Sequence, residues 1–356
     1  MSKQISRRDA IKTMSVIAAG SAAMGVFPSC AGTSGDRNNG QREAVAAAPQ
    51  PESENNPINT PISMYTGNSD KITRDYLDSL LIETRYLDSV IPDTSFQLFG
   101  HKFSTPIMTA ALSHLFNNAP DGMNVYAKGA AESNAVHWMG MGQDAELEGI
   151  VSTGARTIKI IKPHADNKEV FRKIDHAVRC GCIAVGMDID HSFQSNGQYD
   201  NVMGLPMKAK STEELRDFVQ ASRVPFIVKG VMSPRDAEKC MKVGVKGIVV
   251  SHHHGMVNYS CPPLMVLPDI LKVTAGKIPV FVDCGFESGM DVYKALALGA
   301  TAVSIGRHLM PLLKDGGSAV SRRINQMTAE LAGVMARTGV ADLGHFDPTV
   351  IHKRNF

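Results

Sequence analysis

Long apolar runs are missing from this 356-residue chain. No stretch of about 18 uninterrupted apolar residues occurs, which excludes a multi-span membrane protein. Charge of one sign is missing too, since 37 lysines and arginines face 35 aspartates and glutamates, for a formal net charge of +2. Even that excess is local: residues 1–29 hold Lys3, Arg7, Arg8 and Lys12 against Asp9, so the rest of the chain is close to neutral. A body without a polybasic surface argues against nucleic acid or anionic membranes as generic partners. Cysteine is scarce, six in all. Cys180 and Cys182 are too close for an ordinary bridge, and Cys182 and Cys284 lie in apolar runs where a thiol acts as a small buried hydrophobe. No disulfide framework is expected. What is plentiful is apolar content, 43% of the chain. It suffices for one domain of roughly 250–300 residues with an appendage, or for two modest domains.

The first thirty residues read as an address. Ser6-Arg7-Arg8-Asp9-Ala10-Ile11-Lys12 precedes a mildly apolar run from Met14 to Phe27, rich in alanine and glycine. A charged start, a short apolar core and small residues make an export signal. The paired arginines resemble the twin-arginine (Tat) type, which implies export to the periplasm, although Ala10 stands where phenylalanine is usual. Phe27-Pro28-Ser29-Cys30 resembles a lipoprotein box, which makes Cys30 a candidate lipidation site and the lipid the only expected membrane contact. The other outcome is ordinary cleavage nearby, with Cys30 an incidental thiol. Residues 31–61 are too poor in large apolar groups to fold and read as a disordered tether. A domain from 62 to 356 follows.

From residue 100 the chain alternates short apolar runs with helical patterns. The runs are Pro106–Leu112, Ala135–Met141, Thr157–Pro163, Cys182–Asp190, Pro225–Val231, Gly247–His253, Pro279–Gly285 and Ala302–Arg307. Their β-branched and small residues suit strands buried on both faces of a parallel sheet. Ser211-Thr212-Glu213-Glu214 is a capping box. Ser233-Pro234 puts a cap before a proline at the first helical position. Gly244 and Gly299 sit where helices end. Eight strand-then-helix units predict a (β/α)8 TIM barrel, with residues 62–100 as an N-terminal cap region and helices at the C-terminal end. An open doubly wound sheet is the alternative, but it would want a glycine-rich first turn.

In such a barrel the carboxyl ends of the strands carry the chemistry. Five consecutive runs place polar groups there: Asp188 and Asp190, then Lys229, then Ser251-His252-His253, then Asp283 and Gly285, then Gly306-Arg307. A buried lysine or aspartate is costly unless paired, so a functional mouth explains the repetition better than isolated core ion pairs.

Three stretches carry a family resemblance: Val224-Pro225-Phe226-Ile227-Val228-Lys229-Gly230-Val231, Val250-Ser251-His252-His253-His254-Gly255, and Pro279-Val280-Phe281-Val282-Asp283-Cys284-Gly285. With Gly289–Ala300 and Ile305-Gly306-Arg307 they resemble the FMN-dependent α-hydroxy-acid oxidases and dehydrogenases, and weaker similarity runs from about Thr73 to Gly339. The resemblance implies a flavoprotein oxidoreductase that takes the hydroxyl proton of a small substrate, a 2-hydroxy acid, as hydride passes to the flavin. A carbanion route stays open. Residue by residue it implies His253 as catalytic base and Asp190 as the carboxylate that orients it. It implies Lys229 beside the flavin N1/C2=O edge, and Asp283, Gly285, Gly306 and Arg307 at the ribityl and phosphate groups. Ser251 joins the cofactor set, and the backbone of Ala110 and Ala111 is expected to face the flavin ring.

The departures fall on the substrate side. Met256 stands where the family has its carboxylate-binding arginine, and methionine cannot bind a carboxylate. Lys159 and Lys162 are the candidate replacements. Asp188 replaces a threonine, and Glu287 replaces an arginine near the phosphate. Two competing functions remain: non-redox flavin chemistry of the type 2 isopentenyl-diphosphate isomerase kind, and a catalytically silent flavin-binding lipoprotein. His252-His253-His254 invites a metal reading, but Lys229 in the same mouth opposes a cation and none is expected. If the segment is extended, His252 and His254 share one face and His253 the other. His114, His137 and His164 read as polar strand-end or surface residues. A homo-oligomer is expected from the resemblance, and the electron acceptor is left open.

Overall fold

Strand runs that are apolar on both faces need helices over one face and a closed interior on the other. A computed structural model, which describes residues 67–356, has that arrangement. The leader, Cys30 and the tether over 31–61 lie outside the described residues. Helix α1 (Ser69–Ser79) comes first, and the barrel strands are β1 (Ile107–Thr109), β2 (His137–Met139), β3 (Thr157–Ile161), β4 (Ala184–Asp188), β5 (Phe226–Lys229), β6 (Gly247–Val250), β7 (Val280–Val282) and β8 (Ala302–Ile305). Each is shorter than the apolar run that contains it. All the paired neighbours are parallel, and β8 returns to β1 with Val303 opposite Ile107. The last two edges also meet: Thr109 N–H donates to Val136 C=O at 3.1 Å, and Gly140 N–H to Leu112 C=O at 2.8 Å. The sheet is a (β/α)8 barrel.

Helices α2 (Gly122–Glu132), α3 (Asp144–Ser152), α4 (Asn167–Arg179), α5 (Thr212–Ala221), α6 (Pro234–Val243), α7 (Pro263–Thr274), α8 (Gly289–Ala297) and α9 (Gly317–Arg337) follow the strands in turn. Their ends obey the sequence signals. Ser211 and Glu214 form the reciprocal capping box on α5, and Ser233 caps α6 ahead of Pro234. Gly244 ends α6 at φ +86°, a conformation that costs glycine nothing.

Two apolar cores result. One lies between sheet and helices, the other inside the barrel, where Trp138, Ile158, Ile160, Ile227, Val249 and Phe281 meet. The Trp138 and Phe281 rings cross edge to face at 5.4 Å. The cap region divides. The hairpin of Phe96–Leu98 and His101–Phe103 adds Phe96, Leu98 and Phe103 to the inner core, while α1 packs at the carboxyl ends of the strands. Leu80–Ile82 pairs antiparallel with Ile351–Lys353, tying the two ends of the described chain.

Because side chains alternate along a strand, the inner core fixes the next residues that face inward. Counting on from Ile160, Ala184, Ile227, Val249, Phe281 and Ala302 gives Lys162, Asp188, Lys229, Ser251, Asp283 and Gly306 at the mouth. No helix among the described residues is long and apolar enough to cross a membrane. His137 corrects the surface reading: it is fully buried on the outward face of β2, with Nδ1 2.9 Å from Thr109 Oγ1, and His164 is buried as well. Phe281→Ala should destabilise the fold by about 3–5 kcal/mol, because it empties the centre of the inner core. Denaturant unfolding followed by tryptophan emission checks this, since Trp138 packs on that ring.

Candidate active site

Ion pairing organises the mouth. Asp188, the last residue of β4, accepts from Lys162 Nζ at 2.6 Å and from Lys229 Nζ at 3.2 Å. Lys229 Nζ also lies 3.9 Å from Asp283 Oδ2 and 3.2 Å from His253 Nδ1. The two lysines and two aspartates are almost wholly buried, His253 is half-buried, and each carboxylate has a cation in reach. Burial alone would push the Asp188 carboxyl up, but His253, Lys162 and Lys229 outweigh it and hold it well below the usual range. Burial likewise works against the Lys229 ammonium, and Asp188, Asp190 and Asp283 raise it above its ordinary value.

His253 sits on a turn, which corrects the extended reading of the three histidines. Strand β6 ends at Val250, and His253, His254 and Gly255 take φ of +48°, +60° and +69°. The Ser251 hydroxyl accepts the His253 N–H at 3.2 Å and fixes this turn. His252 turns away: its Nδ1 accepts from Gly255 N–H at 2.9 Å, so its Nε2 carries the proton and donates to Thr73 Oγ1 at 2.7 Å. His253 Nδ1 lies 3.0 Å from Asp190 Oδ1 and 3.3 Å from Asp188 Oδ1. A carboxylate can only accept, so Nδ1 carries a proton toward Asp190 and Asp188, the Lys229 ammonium beside it is no partner of that nitrogen, and Nε2 is left as the basic nitrogen. Among the described residues Nε2 has no hydrogen-bond partner. Burial disfavours the imidazolium, yet Asp188 and Asp190 outweigh it and raise the His253 pKa. Gly230, at φ +94°, makes room for this pair, because a Cβ there would stand 2.7 Å from Asp190 Oδ2. That oxygen is buried and, among the described residues, without a hydrogen-bond partner.

The predicted residues are not all at the mouth. Lys162 faces inward on Asp188, but Lys159 is on the outward face of β3, where Nζ donates to the Gly140 carbonyl. Burial lowers its pKa to about 7, and its charged neighbours are Lys173, Glu146 and Asp144. The alternation of β3 that sends Ile158 and Ile160 inward sends Lys159 out, so it is no substrate clamp. Met256 is 39% exposed in the loop after β6, next to Val257, whose carbonyl accepts from Ser69 Oγ. Ser251 is fully buried at the mouth, and its hydroxyl shapes the turn. Ala110 spends its N–H on Ile305 C=O and its C=O on Leu112 N–H, leaving apolar surface beside Ala111. Arg307 forks onto the Asp70 carboxylate, with both contacts at 2.7 Å.

Asp188 was named from the sequence, and Asp70 was not. Asp188 was legible by counting along β4, since it shares the inward parity of Ala184. Asp70 had no signal, because nothing in a helix start says which barrel loop it will meet. Arg74, one turn on, pairs with Asp291 at 2.8 Å and donates to the Gly285 carbonyl at 2.9 Å. Asp188, His191 and His253 also lie close enough to share a metal ion, but both lysine ammoniums already sit on Asp188 and repel one.

The profile of the FMN-dependent dehydrogenase family matches residues 64–216 and 206–353. The chain belongs to this family. It is thus an FMN-dependent enzyme, an oxidoreductase. It is 29% identical over 291 residues to an L-lactate oxidase of Roseobacter sp. (strain GAI101), covering 71% of this chain and 78% of that protein. It is 28% identical over 302 residues to 2-hydroxyacid oxidase 2 of Rattus norvegicus, covering 76% and 86%. A crystal structure of mandelate oxidase with (S)-2-phenylpropionate superposes with a TM-score of 0.72 at 24% identity over 82% of this chain and 90% of that one, which shows the shared fold.

The mouth fits FMN. Lys229 is a buried cation at the barrel centre and would suit the electron-rich edge of the ring. Gly306 keeps the floor low, since a Cβ there would press on Ala110 Cβ at 3.2 Å. Gly285, Gly306 and Arg307 would hold the phosphate from β7 and β8, as barrels commonly do. One contact competes for it: the Asp70 carboxylate already fills the Arg307 fork. Asp70→Asn should therefore tighten FMN binding about tenfold, equivalent to ~1.4 kcal/mol. Flavin-fluorescence titration of apoprotein reads this out, and unchanged or weaker binding would show that Asp70 helps to position Arg307.

Proposed function

We propose that this enzyme oxidises a 2-hydroxy acid to the 2-oxo acid, with His253 as base and Asp190 as its partner. The observation that carries the proposal is the His253 Nδ1–Asp190 pair at 3.0 Å with Nε2 unpartnered. Nε2 takes the substrate hydroxyl proton. The imidazolium so formed is stabilised by the Asp190 and Asp188 carboxylates on its other nitrogen. Bound FMN supplies the acceptor for the hydride that leaves the α-carbon. Lys229 adds a fixed positive charge, and Gly230 keeps Asp190 against the imidazole ring. With Met256 unable to bind an acid, Lys162 is the cation on the inward face that can meet the substrate carboxylate. The names of the lactate and 2-hydroxyacid oxidase relatives support the substrate class.

A second reading has its own support. Lys162 is neutralised by Asp188 at 2.6 Å, which suits a hydroxylated substrate without a carboxylate. An anaerobic panel of 2-hydroxy acids and their esters separates the two: bleaching of bound flavin by the acids supports the first, and bleaching by the esters alone replaces it with the second. The twin-arginine leader supports export, and we place the enzyme outside the cytoplasm on that basis.

His253→Ala should abolish bleaching while FMN stays bound; a variant that still bleaches at the wild-type rate removes His253 from the base role. The base works only when neutral, and its pKa is raised. Hence kcat/KM should fall as pH drops through a midpoint above the ordinary imidazole value of about 6.5. Asp190→Asn removes one of the charges that raise it and should shift that midpoint to lower pH, besides slowing turnover. Lys162→Met should raise KM for a 2-hydroxy acid at least tenfold with FMN affinity unchanged.

A further inference from the structure

A second group of ligand-type side chains lies away from the mouth, on the outer surface of the barrel where α3 and α4 run side by side. Glu148 is on α3, His176 on α4, and Cys180 caps the C-terminus of α4. His176 and Cys180 are four residues apart and share one face, as do Asp144 and Glu148 on the neighbouring helix. His176 Nε2 is 3.0 Å from Glu148 Oε1 and 3.5 Å from Cys180 Sγ. The thiol also lies 3.9 Å from Nδ1, so it stands over the ring, nearer to Nε2. Behind the ring, Asp144 Oδ1 is 3.8 Å from Nδ1.

We propose that Glu148, His176 and Cys180 bind a thiophilic divalent cation of the zinc class, with Asp144 as the carboxylate that orients the imidazole. Three protein ligands of mixed N, O and S type with a fourth position open to solvent are a donor set that zinc accepts, and a thiolate with an imidazole disfavours magnesium and calcium. Bond lengths of about 2.0–2.3 Å around a tetrahedral zinc put ligand atoms roughly 3.2–3.7 Å apart, and the two Nε2 distances are already near that spacing. The surroundings separate the roles. Arg172 and Lys173 are shared between Asp144 and Glu169, and Arg179 is on Asp175. Glu148 pairs with no lysine or arginine among the described residues; its one partner is His176. The glutamate side chain is 62% exposed and the histidine 11%, so an ion reaches a half-buried floor from solvent over the carboxylate. At 3.8 Å the Asp144 carboxylate is beyond hydrogen-bond reach of Nδ1, so it acts on the ligating ring through its charge from behind.

The test uses full-length, FMN-loaded protein stripped with EDTA and titrated with Zn2+ in competition with a chromophoric chelator, then with Co2+. One equivalent of Zn2+ should bind, and Co2+ should give a near-ultraviolet thiolate-to-metal band with the strong visible absorption of a tetrahedral site. Cys180→Ser should remove that band, and His176→Gln should remove tight binding. Asp144→Asn should weaken binding ~10–100-fold. Cys261→Ser, at an exposed cysteine outside the cluster, should change nothing. Flavin content serves as the check on folding and should stay at the wild-type level in every variant. Binding of less than one equivalent, Co2+ binding without the thiolate band, or wild-type affinity in both Cys180→Ser and His176→Gln would overturn the proposal.

Discussion

The contact on which the mouth depends is the buried ion pair of Lys229 with Asp188. An ammonium with almost no access to water is tolerable only against fixed negative charge; Asp188 supplies it from the neighbouring β4, and Asp283 from just past β7, two strands away. Lys162 then completes the compensation of Asp188, and Asp190 is left to His253. Removing any one member strands a partner, at a cost of about 3–5 kcal/mol for a buried pair. Strand order does the positioning: β3, β4, β5, β6 and β7 are neighbours in the sheet, so residues at the same inward level come within ion-pair distance without any long loop.

Helix α1 adds a second layer. It meets the mouth through Thr73 on His252, Asp70 on Arg307 and Arg74 on Asp291, three contacts spaced about one helical turn or less. The anion-binding end of the mouth is therefore already engaged by the chain itself, whereas the Lys229 end is engaged only by the strands that build it.

Most of the fold was legible because buried parallel strands leave a strong mark: eight short apolar runs separated by capped helices. The capping box at Ser211 and the glycine stop at Gly244 formed as local chemistry dictates. Within the site, Lys229, Asp190, His253 and Asp283 came together because each lies at or just past a strand end. What failed were statements that needed a neighbour or a strand end the sequence does not mark. Lys159 and Lys162 look equivalent in a run of Ile and Lys, and only the side on which Ile160 packs separates them. The three histidines read as strand because nothing in Ser-His-His-His announces that the backbone turns to positive φ after Val250. Arg307 was read without Asp70, which lies more than 200 residues away in the chain and reaches it only through the docking of α1.

The antiparallel pairing of Leu80–Ile82 with Ile351–Lys353 has a kinetic meaning. The segment that carries α1 is made early, yet its strand partner emerges much later. At 5–20 residues per second the early strand waits on the order of tens of seconds on the ribosome. Loop closure on this scale favours a barrel that collapses first and fastens its upper helix afterwards.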